Sequence, residues 1–354
     1  MIDPIGAPER ELCTTPSQKK LVCVIPAFRA SRTILSVIKG ALPYCDAIVV
    51  VDDGCSEGTA EVVRAQYDGD PRVHVIKRSS NGGVGAATKT GIGAALSLAA
   101  DIIVKLDADG QMNPSYISSI REAFEHHSYI VCVKGNRFFD ASVISLMPKA
   151  RLFGNAALSL FAKFASGYWN VIDPTNGYLA FDAHMLTVLP WQSFDDSYFF
   201  ELSVLCELGL KKLPILELEM PTIYTDAQSS LSIRKVLLEF PGKLFRKTMR
   251  RLLVQYFIFD INLGTLYGFF GTLLLMFGLV FGGYEWIESV TTHVSRATGT
   301  IMLAVLPTLM GFQLLLQALM YDVQFSSKTR HELRIDEIQR RPSSGAAVKE
   351  RWRG

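Results

Sequence analysis

Short apolar runs alternate with longer amphipathic stretches from Leu21 onward, and this pattern predicts βαβ units with a mostly parallel sheet. The predicted strands are Leu21–Ile25, Ala47–Val51, Val73–Ile76, Ile102–Leu106 and Ile130–Val133. The predicted helices lie between them, at Ser31–Gly40, Gly58–Gln66, Gly85–Ala99 and Pro114–His126. Open parallel sheets bind ligands at the carboxyl ends of their strands, so functional residues are expected directly after the apolar runs.

Two long apolar segments follow Leu252, namely Ile261–Gly282 and Thr298–Tyr321, and neither contains a charged residue. At about 1.5 Å of rise per residue, helices of this length match a hydrocarbon core of roughly 30 Å. The alternative is a pair of buried helices in a soluble core, but such helices are usually shorter and carry a polar stripe. We therefore expect a transmembrane hairpin of two helices.

Basic residues flank this hairpin unevenly. Segment 234–251 carries seven Lys and Arg residues and the tail after Phe325 carries eight, whereas the connecting loop Gly283–Ala297 carries only Arg296. The positive-inside rule then predicts a multi-pass protein of the cell (inner) membrane, with the amino-terminal domain and both termini in the cytoplasm. Segment Val236–Leu252 mixes basic and apolar residues, which favours an interfacial helix on the anionic leaflet over a solvated one.

These patterns divide the chain into five parts. They are a flexible amino-terminal arm (1–20), an α/β domain (21–233), basic interfacial or juxtamembrane helices (234–257), two transmembrane helices (258–323) and a cytoplasmic tail (324–354). The arm lacks the apolar core of a signal peptide. The tail is rich in charge, so we expect it to be disordered or weakly helical.

The composition agrees with a membrane-associated protein, and the 354 residues are enough to bury a large core. Hydrophobic residues make up 49% and charged residues 20%, which excludes a disordered chain. The net charge is only +2, so no nucleic-acid partner is expected. The six cysteines form no CxxC pair, which indicates reduced thiols rather than a disulfide framework or a zinc site.

An acidic triplet, Asp107-Ala108-Asp109, follows the apolar run Ile102–Leu106 and is followed by Gln111. Two carboxylates one residue apart at a strand end can share a hard divalent cation, and such a cation can bridge the oxygens of a nucleotide diphosphate. Pairs of acidic residues are also common in surface turns. The position after a buried strand is what favours the metal site.

A second acidic pair, Asp52-Asp53, ends another predicted strand and precedes Gly54. A carboxylate there can accept hydrogen bonds from a base or a ribose hydroxyl. N-capping by Asp53 or Ser56 is an equal alternative. The following segment 81–91 is rich in glycine but lacks the residues of a P-loop or a dinucleotide fingerprint, which predicts a tight turn opening a small-residue helix on the sheet.

Taken in order, these motifs resemble glycosyltransferase family 2, the inverting enzymes of the GT-A fold, a Rossmann-like α/β fold with a mostly parallel sheet. The motifs are Ile25-Pro26-Ala27-Phe28, Val51-Asp52-Asp53-Gly54, the glycine-rich turn and Asp107-Ala108-Asp109-Gly110-Gln111. Two later segments resemble dolichyl-phosphate mannose synthase and bacterial polyprenyl-phosphate glycosyltransferases, some of which carry a carboxyl-terminal membrane hairpin. These segments are Gly135-Asn136-Arg137-Phe138 and Asp173-Pro174-Thr175-Asn176-Gly177-Tyr178.

The resemblance implies an inverting, metal-dependent transfer of a single sugar from a UDP- or GDP-sugar to a polyprenyl (undecaprenyl-like) phosphate at the cytoplasmic face of the bilayer. Mg²⁺ or Mn²⁺ is the implied cofactor, with Asp107, Asp109 and Gln111 as its ligands. The implied nucleotide contacts are Pro26, Phe28, Val51, Asp53, Asp107 and Ala108. The implied acceptor-phosphate contacts are Arg137, Arg151 and Asn155.

The catalytic set implied by the resemblance also includes Asp173 and Glu201, which would contact sugar hydroxyls or orient the arginines. Structural capping or a surface salt bridge is the alternative for both carboxylates. The chain departs from the family pattern at Ala30, where an acidic residue is frequent, so the base and the sugar stay open. An arginine frequent before Tyr224 is also missing.

Two other functions compete with this interpretation. A processive polysaccharide synthase should carry a QxxRW motif, but the pair Arg351-Trp352 has Val348 where the glutamine should stand. A non-catalytic nucleotide-binding scaffold is disfavoured because acidic motifs follow two different strands. The sequence leaves a homo-oligomer open.

Overall fold

A mixed β-sheet organises the amino-terminal part of the chain in the computed structural model, which describes residues 19–127, 129–138, 149–220, 233–326 and 330–333. The strands within these residues are β1 Leu21–Ala27, β2 Ala47–Asp52, β3 Val73–Lys77, β4 Ile102–Lys105, β5 Cys132–Asn136, β6 Leu179–Asp182, β7 Ile215–Glu219 and β8 Arg330–Leu333. Their order across the sheet is β3-β2-β1-β4-β6-β5-β7-β8. Only β6 runs antiparallel to its neighbours in this sheet, so the predicted mostly parallel α/β fold is confirmed.

Helices cover both faces of the sheet and then continue into the carboxyl-terminal hairpin. They are α1 Ile34–Ala41, α2 Thr59–Tyr67, α3 Val84–Ser97, α4 Tyr116–His126, α5 Lys149–Ser166, α6 Ala183–Val188, α7 Phe200–Leu210, α8 Ile233–Leu253, α9 Leu263–Thr292 and α10 Thr298–Ser326. A short 3₁₀ turn lies at Trp191–Ser193, and a π-helical turn at Val254–Ile258 joins α8 to the hairpin segment.

Successive side chains of the central strands point to opposite faces of the sheet, so a hydrophobic core forms on each face. In β1, Leu21, Cys23 and Ile25 face the layer formed by α1 and α4, whereas Val22 and Val24 face the layer formed by α3 and α7. Helix α3 passes so close to the sheet that a Cβ at Gly91 would collide with the Val24 side chain. The predicted small-residue helix packed on the sheet is therefore confirmed.

The predicted ends of the elements needed correction in several places. The fifth strand was predicted at Ile130–Val133 but runs from Cys132 to Asn136. Its second half contains buried Lys134 and Asn136, and these polar residues interrupt the apolar pattern. Strands β6 and β7 were not predicted.

Helices α9 and α10 pack against each other through close backbone contacts, for example at Gly278 against Thr308 and at Gly311 against Leu275. Both are long and apolar enough to cross a membrane. In the most apolar 18-residue stretch of each helix, only 22% and 6% of the residues are buried. A core helix of a soluble protein would be mostly buried. The two helices thus form a candidate membrane hairpin with an exposed apolar surface.

The connection between α9 and α10 is shorter than the predicted loop Gly283–Ala297. Helix α9 continues to Thr292, and the chain reverses at His293 in a left-handed conformation. Arg296 forms ion pairs with Glu285 and Glu288, both on the last turns of α9, and these pairs hold the extended helix end.

The prediction of a disordered or weakly helical tail was wrong for residues 330–333. Residues 330–333 form β8, which pairs in parallel with β7 at the edge of the sheet, instead of being disordered or helical. An open sheet edge presents unpaired backbone groups that a following segment can satisfy. The predicted arm, apart from residues 19 and 20, and the tail beyond residue 333 lie outside the described residues. The described cysteines are buried and form no disulfide: Cys23, Cys45, Cys55, Cys132 and Cys206.

Candidate functional site

The carboxyl ends of β1, β2, β4 and β5 bring the predicted motifs to one edge of the sheet. Residue Ala27 of β1 is in register with Asp52 of β2, and the backbone N–H of Asp53 donates to the Ala27 carbonyl at 2.8 Å. The Thr33 hydroxyl donates to the Ala108 carbonyl at 2.6 Å, which ties the start of α1 to the acidic triplet. The four motifs that are distant in sequence thus share one site.

The acidic triplet forms a tight turn after β4. Gly110 has a φ of 75°, a conformation that favours glycine, and the Asp109 carboxylate accepts a 2.9 Å hydrogen bond from the Gln111 backbone N–H. The side chain of Asp109 reaches the surface, yet its pKa is raised, first by partial desolvation and further by the nearby charge of Asp107. A carboxylate whose charge is disfavoured in this way is well suited to receive a cation.

Lys105, at the end of β4, is a site residue that the sequence analysis missed. Its side chain is 1% exposed, and Nζ lies 2.5 Å from Asp107 Oδ1 and 3.1 Å from Glu201 Oε1. Burial lowers the pKa of Lys105, but the two carboxylates outweigh this effect, so the net pKa is raised and the amine is charged. The signal in the sequence was a lysine inside an otherwise apolar run that leads into an acidic motif.

The loop Asp173–Tyr178 rests on two buried lysines. Lys105 donates to the Gly177 carbonyl at 3.1 Å, and Lys134 of β5 donates to the Asn176 carbonyl at 2.5 Å. Burial is the main cause that lowers the pKa of Lys134, against the opposing effect of Asp173 and Glu201. Gly177 also lies directly against Asp107, because a Cβ at this position would come within 2.6 Å of Asp107 Oδ2. The loop and the acidic triplet therefore form one continuous surface.

Arg137 follows β5 and is held by Asp173. Nε lies 2.7 Å from Oδ2 and Nη2 lies 3.0 Å from Oδ1, while Nη2 also donates to the Thr175 hydroxyl at 3.4 Å. Asp173 is buried, which by itself would raise its pKa, but the charge and hydrogen bonds of Arg137 bring the net pKa below its usual range. Asp173 and Glu201 are both buried, so neither forms the surface salt bridge considered as the alternative.

Asp53 is fully engaged within the protein. Its carboxylate pairs with the Arg78 guanidinium and accepts hydrogen bonds from the backbone N–H groups of Gly82 and Gly83, at 3.1 and 2.8 Å. It therefore anchors the glycine-rich turn. The contact of Asp53 with a nucleotide stays a prediction.

Asp52, rather than Asp53 or Ser56, supports the start of α2. Its two carboxylate oxygens accept hydrogen bonds from the backbone N–H groups of Cys55 and Ala60, at 3.0 and 3.2 Å. The predicted N-capping by Asp53 or Ser56 was therefore wrong: Gly58 is the N-cap residue of α2, and it is Asp52 that binds backbone N–H groups at this helix end.

The glycine-rich turn packs against protein rather than offering a phosphate cradle. At the start of α3, the Ala86 N–H donates to the Asp196 carbonyl at 3.0 Å, and a Cβ at Gly85 would collide with the Asp195 carbonyl. Lys89 of the same helix pairs with the Asp196 carboxylate at 2.6 Å. The helix N-terminus is therefore occupied by a neighbouring loop, as expected for a structural turn.

The remaining residues predicted to contact the nucleotide differ in their exposure. Phe28 is 44% exposed, with the Arg29 guanidinium 5.3 Å from its ring centroid, and it offers an aromatic face beside the site. Pro26 is buried in β1. Val51 and Ala108 point their side chains into the core, so only their main chains face the site.

The predicted acceptor contacts Arg151 and Asn155 lie on α5, one helical turn apart. Asn155 is half-buried. The side chain of Arg151 lies outside the described residues.

The site provides oxygen ligands for a hard cation. Asp107 and Asp109 offer carboxylates and Gln111 offers an amide, and the Asp109 carboxylate accepts a hydrogen bond from the Gln111 backbone N–H. Among the described residues, no group of three His, Cys, Asp or Glu side chains gathers as a closed metal site. Mg²⁺ commonly binds one or two carboxylates together with substrate phosphates, so these residues fit an open site of that kind.

Helix α8 joins the α/β domain to the hairpin, and most of its described basic residues are used inside the protein. Lys243 pairs with Asp195 at 2.6 Å, and Lys247 and Arg250 each pair with Glu207 at 2.6 Å. An exposed apolar stripe at four-residue spacing also runs along this region: Phe245, Met249, Leu253 and Phe257. The predicted amphipathic character is present, because the exposed side chains of Arg246 and Arg250 lie on the same helix.

Known proteins are similar to the α/β part of this chain. The family model described as "Glycosyl transferase family 2" matches residues 22–187. UDP-N-acetylglucosamine–dolichyl-phosphate N-acetylglucosaminyltransferase of Methanococcus voltae is 31% identical, over 59% of this chain and 88% of that protein. Polyprenol monophosphomannose synthase of Mycolicibacterium smegmatis is 26% identical, over 64% of this chain and 85% of that protein.

A solved structure with a related arrangement is glucosyl-3-phosphoglycerate synthase of Mycobacterium tuberculosis, crystallised with Mn²⁺, UDP and glucosyl-3-phosphoglycerate. It is 21% identical, with a TM-score of 0.47, over 69% of this chain and 82% of that chain. A similarity of this size carries no conclusion about ligands or chemistry.

Proposed function

Because the chain belongs to glycosyltransferase family 2, we propose that it transfers one sugar from a UDP- or GDP-sugar to a polyprenyl phosphate, with inversion at the anomeric carbon. The acceptor class is taken from relatives whose names specify dolichyl phosphate and polyprenol monophosphate. The observation that carries the proposal is the direct contact between the acidic triplet and the loop Asp173–Tyr178, whose first residue holds Arg137. The proposed donor site and the proposed acceptor site would thereby lie next to each other at one sheet edge.

The donor half of the proposed site lies between β1, β2 and β4. Phe28 and the main chain near Pro26 and Val51 are proposed to line the base, with Asp53 beside the ribose. Asp107 and Asp109, with Gln111, would hold Mg²⁺ or Mn²⁺ beside the diphosphate. When bound, the ion offsets the negative charge that develops on the leaving nucleoside diphosphate.

The acceptor half is proposed to use Arg137, with Arg151 and Asn155 on α5. A phosphate monoester has a second pKa of about 6, so its oxygen is already an anion at neutral pH and needs no general base. Arg137 can bind that anion with charge-assisted hydrogen bonds. The proposed role of Asp173 is to fix the plane of the Arg137 guanidinium so that its exposed part faces the acceptor.

Lys105 is proposed to keep two carboxylates ionised in a place that also binds phosphate. Its charged amine balances Asp107 and Glu201, both within 3.1 Å. Without this cation, two negative side chains would face an anionic donor. Transfer then proceeds by in-line attack of the acceptor oxygen on the anomeric carbon, and the displacement inverts that carbon.

Several contacts support a membrane orientation with the α/β domain and the tail on the same side, proposed to be the cytoplasmic face. The second membrane helix ends in an ion pair between Asp322 and Arg251 of α8, and the chain then returns to the sheet as β8. The apolar stripe on α8 is proposed to lie in the interfacial region of the same leaflet. The proposed division of the chain into five parts is unchanged, except that residues 330–333 of the tail pair with β7 and complete the sheet.

The test is transfer to lipid by the full-length protein in vesicles that contain undecaprenyl phosphate. A panel of radiolabelled UDP- and GDP-sugars is added, and the lipids are extracted and separated. We expect one donor to give a monosaccharyl lipid that mild acid releases as a single sugar. Label in polymer, with none in a monosaccharyl lipid, would identify a processive synthase instead.

A matched variant separates transfer from nucleotide binding. Arg137→Gln retains hydrogen-bond donors but loses the guanidinium charge, so we expect it to bind the donor nucleotide normally and to lose transfer. If the wild-type protein bound nucleotide and transferred no label to any lipid, it would be a binding protein rather than the proposed enzyme.

A further inference from the structure

Asp322, near the end of the second membrane helix, has both carboxylate oxygens fully occupied. The Arg251 guanidinium donates to Oδ1 and Oδ2 at 2.8 and 2.9 Å. The Tyr256 hydroxyl donates to Oδ1 at 2.6 Å, and the Trp169 indole N–H donates to Oδ2 at 2.7 Å. These four hydrogen bonds make Asp322 the meeting point of three separate segments of the chain.

Arg251 connects this carboxylate to the α/β domain. Its side chain is 2% exposed, and Nε donates to the Phe164 carbonyl at 3.0 Å, near the end of α5. Nη1 also donates to Gln255 Oε1, and the Gln255 amide donates to the Gly209 carbonyl of α7 at 2.7 Å. The membrane helix is thus bound through polar groups to the ends of two domain helices.

Hydrogen bonds and aromatic contacts both hold this junction: the Phe164 and Trp169 rings meet edge to face, with centroids 4.8 Å apart. A cavity of about 190 Å³ lies beside it, lined in part by Arg251, Tyr256 and Asp322. Charge-assisted hydrogen bonds are directional, so they fix a relative orientation that loose apolar contact would leave adjustable. The geometry of domain and hairpin therefore depends on the donors to Asp322.

The Trp169 donor leads directly to the proposed acceptor site. Trp169 stands just before Ile172 and Asp173, whose backbone N–H groups donate to the Glu217 carboxylate at 3.0 and 3.1 Å. Asp173 in turn holds Arg137 through two hydrogen bonds. A short, hydrogen-bonded segment therefore links the end of the membrane helix to the arginine proposed to bind the acceptor phosphate.

We propose that Asp322 is a positioning residue for transfer, one that fixes the height and orientation of the Arg137 site relative to the bilayer. This inference rests on the proposed function, because it concerns an acceptor phosphate delivered at a membrane surface. A purely structural role would affect every acceptor alike. A positioning role affects an acceptor anchored in the bilayer far more than one that diffuses freely.

The test removes the two uncharged donors to Asp322, the Trp169 indole N–H and the Tyr256 hydroxyl. It leaves the Arg251–Asp322 ion pair in place, so that the fold is preserved. The variants are Trp169→Phe, Tyr256→Phe and their combination, with Trp191→Phe as a matched control in the 3₁₀ turn, away from the junction. Transfer is measured with undecaprenyl phosphate in vesicles and with a short, water-soluble isoprenyl phosphate in detergent. Separate kcat and KM values are determined for both acceptors.

For the double variant we expect a loss of roughly 10- to 100-fold in kcat/KM on the long acceptor, since small misplacements of reacting groups have effects of this size. On the short acceptor we expect less than about a twofold change, and the Trp191→Phe control should match the wild type on both. Equal losses on the two acceptors, or no loss on either, would overturn the inference.

A second measurement tests the junction without any transfer activity. Spin labels are placed at Val188→Cys on α6 and Val294→Cys beyond α9, two exposed positions, with Cys13→Ser to remove one native thiol. We expect a broader distance distribution in the double variant than in the parent. An unchanged distribution refutes the positioning role, whereas a wild-type protein without transfer activity refutes only the proposed function.

Discussion

Arg137 and Asp173 form a two-point ion pair in which the acid is buried and the base is partly exposed. The Asp173 side chain has no exposure, whereas 29% of the Arg137 side chain is accessible. The orientation of the guanidinium is thus set from within the protein while its charge remains available at the surface. This arrangement suits a site that receives an anion, and it makes the pair sensitive to acid.

Stability should fall in acid partly through this pair. The net pKa of Asp173 is below its usual value, so the unfolded state takes up the proton first as the pH falls. The stability from Asp173 is therefore present above the ordinary carboxyl pKa of about 4 and is lost as the pH falls through the lower folded value. We expect Asp173→Asn to flatten the decline of unfolding free energy below about pH 5.

Urea unfolding measured across the pH range checks this expectation. The control is Asp68→Asn, at an exposed carboxylate after α2, which should keep the wild-type slope. A wild-type slope in the Asp173 variant as well would show that the pair contributes nothing to acid sensitivity.

Asp109→Asn should remove metal binding and most of the transfer while leaving the turn intact. The asparagine oxygen can still accept the Gln111 N–H, but the anionic ligand is lost. We expect transfer to fall by roughly 100-fold or more, the scale seen when one group that stabilises developing charge is removed. Mn²⁺ affinity, followed by electron paramagnetic resonance, should fall in parallel, and Asp70→Asn at a distant surface position should change neither quantity. Undiminished transfer by a folded Asp109 variant would disprove the metal assignment.

Lys105→Met should destabilise the domain, because it leaves Glu201 and Asp107 facing each other without the cation between them. Removing one partner of a buried ion pair costs about 3–5 kcal/mol. The double variant Lys105→Met/Glu201→Gln should recover part of this loss, since it also removes the uncompensated buried charge. Thermal unfolding of the purified protein gives the comparison, with Lys77→Met at the exposed pair with Glu61 as a near-neutral control. A double variant no more stable than Lys105→Met would argue against the ion-pair explanation.

Two glycines of α3 offer a matched pair of substitutions. Gly91→Ala places a methyl group against Val24 and should destabilise by about 1–3 kcal/mol through overpacking. At Gly93 the added Cβ would make ordinary contact, 3.6 Å from Trp191, so Gly93→Ala should be neutral or stabilise by up to about 1 kcal/mol. Denaturant unfolding of the two variants side by side measures the difference. Equal effects would mean that α3 does not pack on the sheet as described.

The sequence was sufficient to predict the strands and helices in which apolar residues recur at regular spacing. Strands β1 to β4 and the helices between them were predicted to within a few residues, and the two long apolar helices of the candidate membrane hairpin were predicted apart from their ends. The period failed at β5, where Lys134 and Asn136 are buried as hydrogen-bonding groups. The apolar run ends at Val133, so the pattern gives no sign that the strand continues through the polar residues to Asn136.

The candidate site also contains residues whose role the sequence pattern alone does not reveal. The position of the acidic triplet after β4 was visible as a pattern, but Lys105 became meaningful only when Glu201 and Gly177 were found beside it. The same holds for Asp322, which lies far in sequence from Trp169 and Arg251. Contacts between distant segments are set by tertiary packing, and a single sequence contains no periodic signal for them.

Strand β8 has a consequence for how the protein is made. The ribosome synthesises α9 and α10 before β8, so the edge of β7 stays open until both long apolar helices have been made. A chain that stopped short of β8 would keep an unpaired sheet edge available to other chains. Pairing of β8 with β7 is therefore restricted to molecules in which both apolar helices have been synthesised completely.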